Sequence, residues 1–171
     1  MGNDRQDRQD TSEPQVTGSP RWTNPYIGMC ALISACINTF GEEGETAMRE
    51  AMLNLGRKTG QAMIDQGLVP KGASVQRWGK MLEQLLDLTG IHDHQCVEST
   101  PERYLVRVNS CEYPEPYEHI KAPPNICEIP IQWDNGCLET VNPEIRMTIR
   151  QCIWRGDGYC LYCIDKRQAE A

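Results

Sequence analysis

The sequence predicts an α+β domain, with helices first and a mainly antiparallel sheet after them. Two observations carry this. Up to Gly90 the apolar residues recur at three- and four-residue spacing, and beyond it they alternate with polar ones. Turn-forming Gly, Pro, Asn and Asp then separate the alternating segments.

The elements follow in order. Residues 1–22 are rich in Asp, Arg, Gln, Ser and Pro, so burial cannot offset the entropy of ordering them, and a disordered tail is expected before a single α+β domain over residues 23–171. Met29, Leu32, Ile33, Cys36, Ile37 and Phe40 make one helical stripe, which Gly41 ends. Met48, Met52, Leu55, Thr59 and Met63 make a second, and Gly56 and Gly60 on one face predict close approach of another backbone. Ser74 is a plausible N-cap for a third helix through Trp78, Leu82 and Leu86, ending near Gly90. "YLVRV" (residues 104–108), "IRMTIRQ" (145–151) and "CLYCI" (160–164) read as strands, and "HDHQCVE" (92–98) as another. A Pro-rich loop joins the first and second pairs, followed by a helix from about Ile129 that tolerates Pro130 in its first turn.

A formal charge of -7 and a pI near 5.0 exclude nucleic acid and an anionic membrane as the main partner. A small-molecule ligand or substrate fits better, with a second copy of the chain or a partner protein also compatible. No apolar run reaches the length of a membrane span. The N-terminus has no secretory pattern, and "MGNDRQ" lacks the Ser or Thr of a myristoylation site. A cytoplasmic location is expected.

Nine cysteines demand a reason. An odd count without an export signal argues against a disulfide framework and leaves metal ligation, catalysis or burial. Cys111 ends a predicted strand, Cys127 follows the Pro-rich loop, and Cys152 and Cys160 flank the turn Arg155-Gly156-Asp157-Gly158. The last two are therefore neighbours across a hairpin. Four thiolates on separate elements suit a structural zinc. Cys160 and Cys163 form a competing Cys-x-x-Cys pair, and His92, His94 and Cys96 a further possible metal set. Trp78, Met52, Met63 and Trp133 are candidates to line an apolar pocket between helices and sheet.

The stretches "GRKTGQAM", "YLVRVNSCEYPEPYE" and "NICEIPIQWDNGCLETVNPEIRMTIRQCIWRGDGYCLYCI" resemble the family of L-2-amino-thiazoline-4-carboxylic acid hydrolases and the related vinyl-reductase-type small-molecule-binding domains, over residues 28–165. Cys111, Cys127, Asn142-Pro143 and the Gly156-to-Cys160 terminus fall in the family's order. Two features depart from it. Glu112 stands where the hydrolase pattern often has proline, and Cys137 and Cys163 are additional thiols. The resemblance to the sensor-type domains implies zinc on Cys111, Cys127, Cys152 and Cys160. The resemblance to the hydrolases implies opening of a cyclic carbon–nitrogen bond. For that chemistry Cys111 is a candidate nucleophile, His119 a proton carrier, and Asp157 a group that positions a cation. Arg107 or Arg146, if turned inward, would pair with a substrate carboxylate. A closed four-thiolate site would instead be structural. The leading expectation is thus a small hydrolase, and the alternative a zinc-stapled small-molecule-binding or accessory subunit.

Overall fold

The computed structural model describes residues 24–167, and the tail expected over residues 1–22 lies outside them. Helix α1 (Pro25–Asp65) starts four residues before the first apolar stripe, because Asn24 Oδ1 accepts the Tyr26 N–H at 2.9 Å and Pro25 occupies the first turn. Gly41, at φ 61° and ψ -135°, breaks it where a stop is expected. The chain resumes the helix at once, so α1 is two helical segments joined at one glycine. Helix α2 (Val75–Leu88) carries the expected cap, with Ser74 Oγ accepting the Arg77 N–H at 3.3 Å. It buries Val75, Trp78, Leu82 and Leu86 along one face.

The sheet contains β1 (His94–Ser99), β2 (Arg103–Val108), β3 (Ile145–Gln151) and β4 (Cys160–Lys166), in the order β1-β2-β4-β3. Every neighbouring pair is antiparallel. Its two faces follow from register. Val108 lies opposite Cys160, Val106 opposite Tyr162, and Met147 opposite Ile164, all turned toward the helices. Leu105 and Thr148 lie opposite Cys163, and Arg103 and Arg146 opposite Asp165, on the other face.

Between β2 and β3 the Pro-rich stretch is not all loop. Pro114 starts a short helix α3 (Pro114–His119), its fixed φ suiting a first turn, and a 3-10 turn (Ile126–Glu128) follows. Helix α4 (Ile131–Val141) then crosses α1, and this crossing is where the expected close approach occurs. A Cβ on Gly56 would collide with the Trp133 carbonyl oxygen and approach the Gly136 Cα to 3.0 Å, and one on Gly60 would reach the Cys137 carbonyl oxygen at 2.9 Å. Asn135 ties α4 to the edge strand β3. It donates to the Met147 carbonyl at 3.1 Å and accepts the Met147 N–H at 2.8 Å, satisfying a backbone position that no further strand pairs.

Candidate functional site

An apolar cavity of about 320 Å³ opens between the helices, the inner sheet face and the loops after β2 and β3. One wall is aromatic. Tyr26 stacks on Tyr113 at 5.0 Å between ring centroids, and Tyr117 meets Trp154 edge-on at 5.5 Å. These rings are held from behind: Trp154 Nε1 donates to the Pro123 carbonyl at 3.0 Å, and the Tyr113 hydroxyl donates to the Thr89 carbonyl. Met52 and Trp133, both expected at a pocket, line the cavity. Trp78 and Met63 do not; Trp78 is buried and Met63 packs against the core.

Cys111, Cys127, Cys152 and Cys160 all line this cavity. Cys152 and Cys160 are neighbours because the turn between β3 and β4 doubles back through a 3-10 turn (Ile153–Arg155) and Gly156 at φ 94°. Cys127 is brought up by Glu128, which pairs with Arg155 from the β3–β4 turn and with Arg49 of α1 at 3.5 Å. Cys152 is the centre of the group. Interaction with the Cys127 and Cys160 thiols, and then with the Trp154 and Arg155 backbone, holds its thiol below the ordinary range. The same contacts push Cys127 and Cys160 up, and burial pushes Cys111 up to about 11. The contacts run pairwise through Cys152. Among the described residues no group of three or more His, Cys, Asp or Glu side chains is arranged to hold a metal ion.

The other expected residues fall elsewhere. Cys163 is buried on the outer sheet face, its thiol donating to Asp165 Oδ2 at 3.5 Å. Positions three apart on a strand face opposite ways, so the Cys160–Cys163 pair cannot meet at one site. Asp157 accepts the Cys152 N–H at 2.7 Å and shapes the turn. His119 ends α3 in an exposed position and is not among the cavity-lining residues. His92 and His94 both contact Asp87 Oδ1, at 3.3 and 3.0 Å, and the Cys96 thiol instead donates to the Glu98 carbonyl. Arg107 and Arg146 are not turned inward. Arg107 lies over the Tyr159 ring at 4.1 Å and Arg146 pairs with Asp165 at 3.5 Å, because their register puts both on the outer face.

One cavity residue was not singled out by sequence reasoning. Asp134, in the first turn of α4, is the sole Asp, Glu, Arg, Lys or His among the described residues lining the cavity. Burial pushes its carboxyl up to about 7, against a small opposing effect of its own backbone N–H. In the sequence it falls in the first turns of the helix expected from about Ile129, where an acidic residue is ordinary, so nothing marked it as pocket-facing.

Comparison with known proteins bears on the same region. The fold is shared with the phenol-responsive sensory domain of the transcription activator PoxR, solved with phenol (TM-score 0.54, 14% identity, covering 82% of this chain and 73% of that one). It is also shared with a trafficking protein particle complex subunit 3 from Naegleria fowleri covalently bound to palmitic acid (TM-score 0.55, 15% identity, 86% and 95%). No curated protein matches the chain. The sequence model for L-2-amino-thiazoline-4-carboxylic acid hydrolase matches residues 26–164, spanning both helical half and sheet, and the chain belongs to that family.

Proposed function

We propose that the chain binds a compact, predominantly apolar small molecule in the cavity between its helices and sheet. The lining carries this reading. Aromatic, aliphatic and thiol side chains surround about 320 Å³, and no Arg, Lys or His is among the described residues that line it. The substrate in the family's name bears a carboxylate. Placed here, that group would meet no counter-charge and would share the space with Asp134, at a cost of several kcal/mol. The phenol-binding and palmitate-bearing neighbours support small apolar ligands on this fold, and the acidic surface adds nothing to hold an anion.

A second reading is hydrolysis of a cyclic carbon–nitrogen bond, and Cys152 is the observation that favours it. A thiol held below its ordinary range by two neighbouring thiols is the best placed nucleophile of the cluster at neutral pH. Water would add across the bond, with hydroxyl to the carbon and a proton to the nitrogen. On this reading the Cys152 sulfur bonds to the carbon as the carbon–nitrogen bond breaks and the nitrogen takes a proton, and water then displaces the sulfur; Cys111 does not attack, since burial keeps its thiol protonated.

One experiment separates the readings. Phenol and L-2-amino-thiazoline-4-carboxylate are titrated against the protein by calorimetry, and the mixtures are then analysed by mass spectrometry for a product one water heavier. The expected result is saturable heat with phenol, none with the carboxylate, and no product. Product from the carboxylate that disappears in Cys152→Ser, with the fold retained, would overturn the binding-only reading in favour of the hydrolase.

A further inference from the structure

We infer that Asp134 anchors the ligand of this cavity, and that the ligand carries a basic nitrogen, an amine or amidine, on an otherwise apolar frame. The inference rests on the cavity being the binding site proposed above.

The position of Asp134 is fixed by its neighbours. Trp133 Nε1 donates to Thr59 Oγ1 at 3.2 Å, Asn135 is clamped to both backbone groups of Met147, and Gly136 lies against the α1 backbone. These contacts fix this turn of α4, and Asp134 lines the cavity from it. The carboxyl nevertheless has no ion pair or hydrogen bond to another residue among the described ones, and only its own backbone N–H approaches it. The fold therefore makes no use of its charge. In this apolar lining an apolar side chain of the same size would be cheaper, because a carboxylate without a partner is costly among apolar groups. A ligand bearing a basic nitrogen supplies the missing partner through a charge-assisted hydrogen bond, while the rest of the molecule fills the apolar space. The chain's formal charge of -7 further favours the encounter of a cation over that of an anion.

The protonation state gives a handle. The other titratable groups facing the cavity are the thiols of Cys111, Cys127, Cys152 and Cys160 and the hydroxyls of Tyr26, Tyr113, Tyr117 and Tyr162. Cys137 lies beside Asp134 on α4. Cys111 is raised to about 11 and Cys137 to about 12; Cys127, Cys160 and the four tyrosines are also raised, whereas Cys152 is held low. Between pH 6 and 8 Asp134 is the group among these that changes charge, its carboxyl titrating at about 7. Pairing with a cation needs the carboxylate, so affinity for an amine rises with pH across that window.

The test compares toluene and benzylamine, matched in ring and differing in the amine, by calorimetry at pH 6 and pH 8 on the full chain and on Asp134→Asn. The expected result is benzylamine binding on the order of tenfold tighter at pH 8 than at pH 6, with that gain lost in Asp134→Asn. Toluene should bind both proteins alike at both pH values, which also shows that the variant folds. Toluene binding with no benzylamine preference, or a preference that survives Asp134→Asn, would overturn the anchor and leave the cavity reading standing. Binding of neither probe would overturn both.

Discussion

At Cys152 the neighbouring thiols of Cys127 and Cys160 hold the sulfur below its ordinary range, and at Asp134 one carboxyl has no partner but its own residue. The two sites sit in the same cavity with opposite electrostatics: the thiol is held toward its ionised form by its neighbours, whereas the carboxyl is pushed toward its neutral form by burial. This contrast has a direct consequence for reactivity. Treated with methyl methanethiosulfonate at pH 6, Cys152 is expected to modify several-fold faster than exposed Cys96, because the thiolate is the reacting species and Cys152 faces an open cavity. Peptide mass mapping reads the order. Modification of Cys96 first, with Cys152 labelled only after denaturation, would remove Cys152 as a nucleophile. Sequence spacing identifies Cys152 as a hairpin neighbour of Cys160. It says nothing of which thiol carries the charge, since that is decided by the 3-10 turn after Cys152 and by Glu128 drawing Cys127 inward.

Among the elements, the crossing of α1 and α4 positions the site. Gly56 and Gly136 let the two backbones touch, and that contact holds Trp133 and Asp134 over the cavity. Gly56→Ala forces a methyl group into the Trp133 carbonyl and is expected to cost about 1–3 kcal/mol in chemical denaturation. Gly28→Ala, in the same helix with nothing within 4 Å, is expected to be neutral or to stabilise by up to about 1 kcal/mol. Equal effects from the two would mean that the crossing is not a tight one. The helical period, the break at Gly41, the Ser74 cap and the three later strands are all legible because each rests on local spacing. Helix α3 is hidden because proline-rich composition reads as loop until a first turn is seen to begin at Pro114. The early start of α1 is hidden for a similar reason, since its cap is a single asparagine next to a proline.

For the molecule as a whole, the sheet divides two chemistries. The helix-covered face builds an apolar cavity, whereas the outer face holds Arg146 and Arg150 around Asp165, at 3.5 and 3.1 Å. The arginines expected to meet a substrate carboxylate belong to that outer face, because strand period and register decide sidedness and a shift of one residue would invert it. A sequence shows the alternation without showing which face the helices cover. Among the described residues no helix is long and apolar enough to cross a membrane. The central claim is that the cavity receives a small apolar molecule, and the methionines report on it directly. Met29, Met52 and Met147 line the cavity, whereas Met48, Met63 and Met81 do not. With the methionine methyls labelled with carbon-13, titration of toluene is expected to shift Met29, Met52 and Met147 together, saturably, and to leave Met48, Met63 and Met81 in place. No shift at the three lining methyls, or equal shifts at all six, would contradict it.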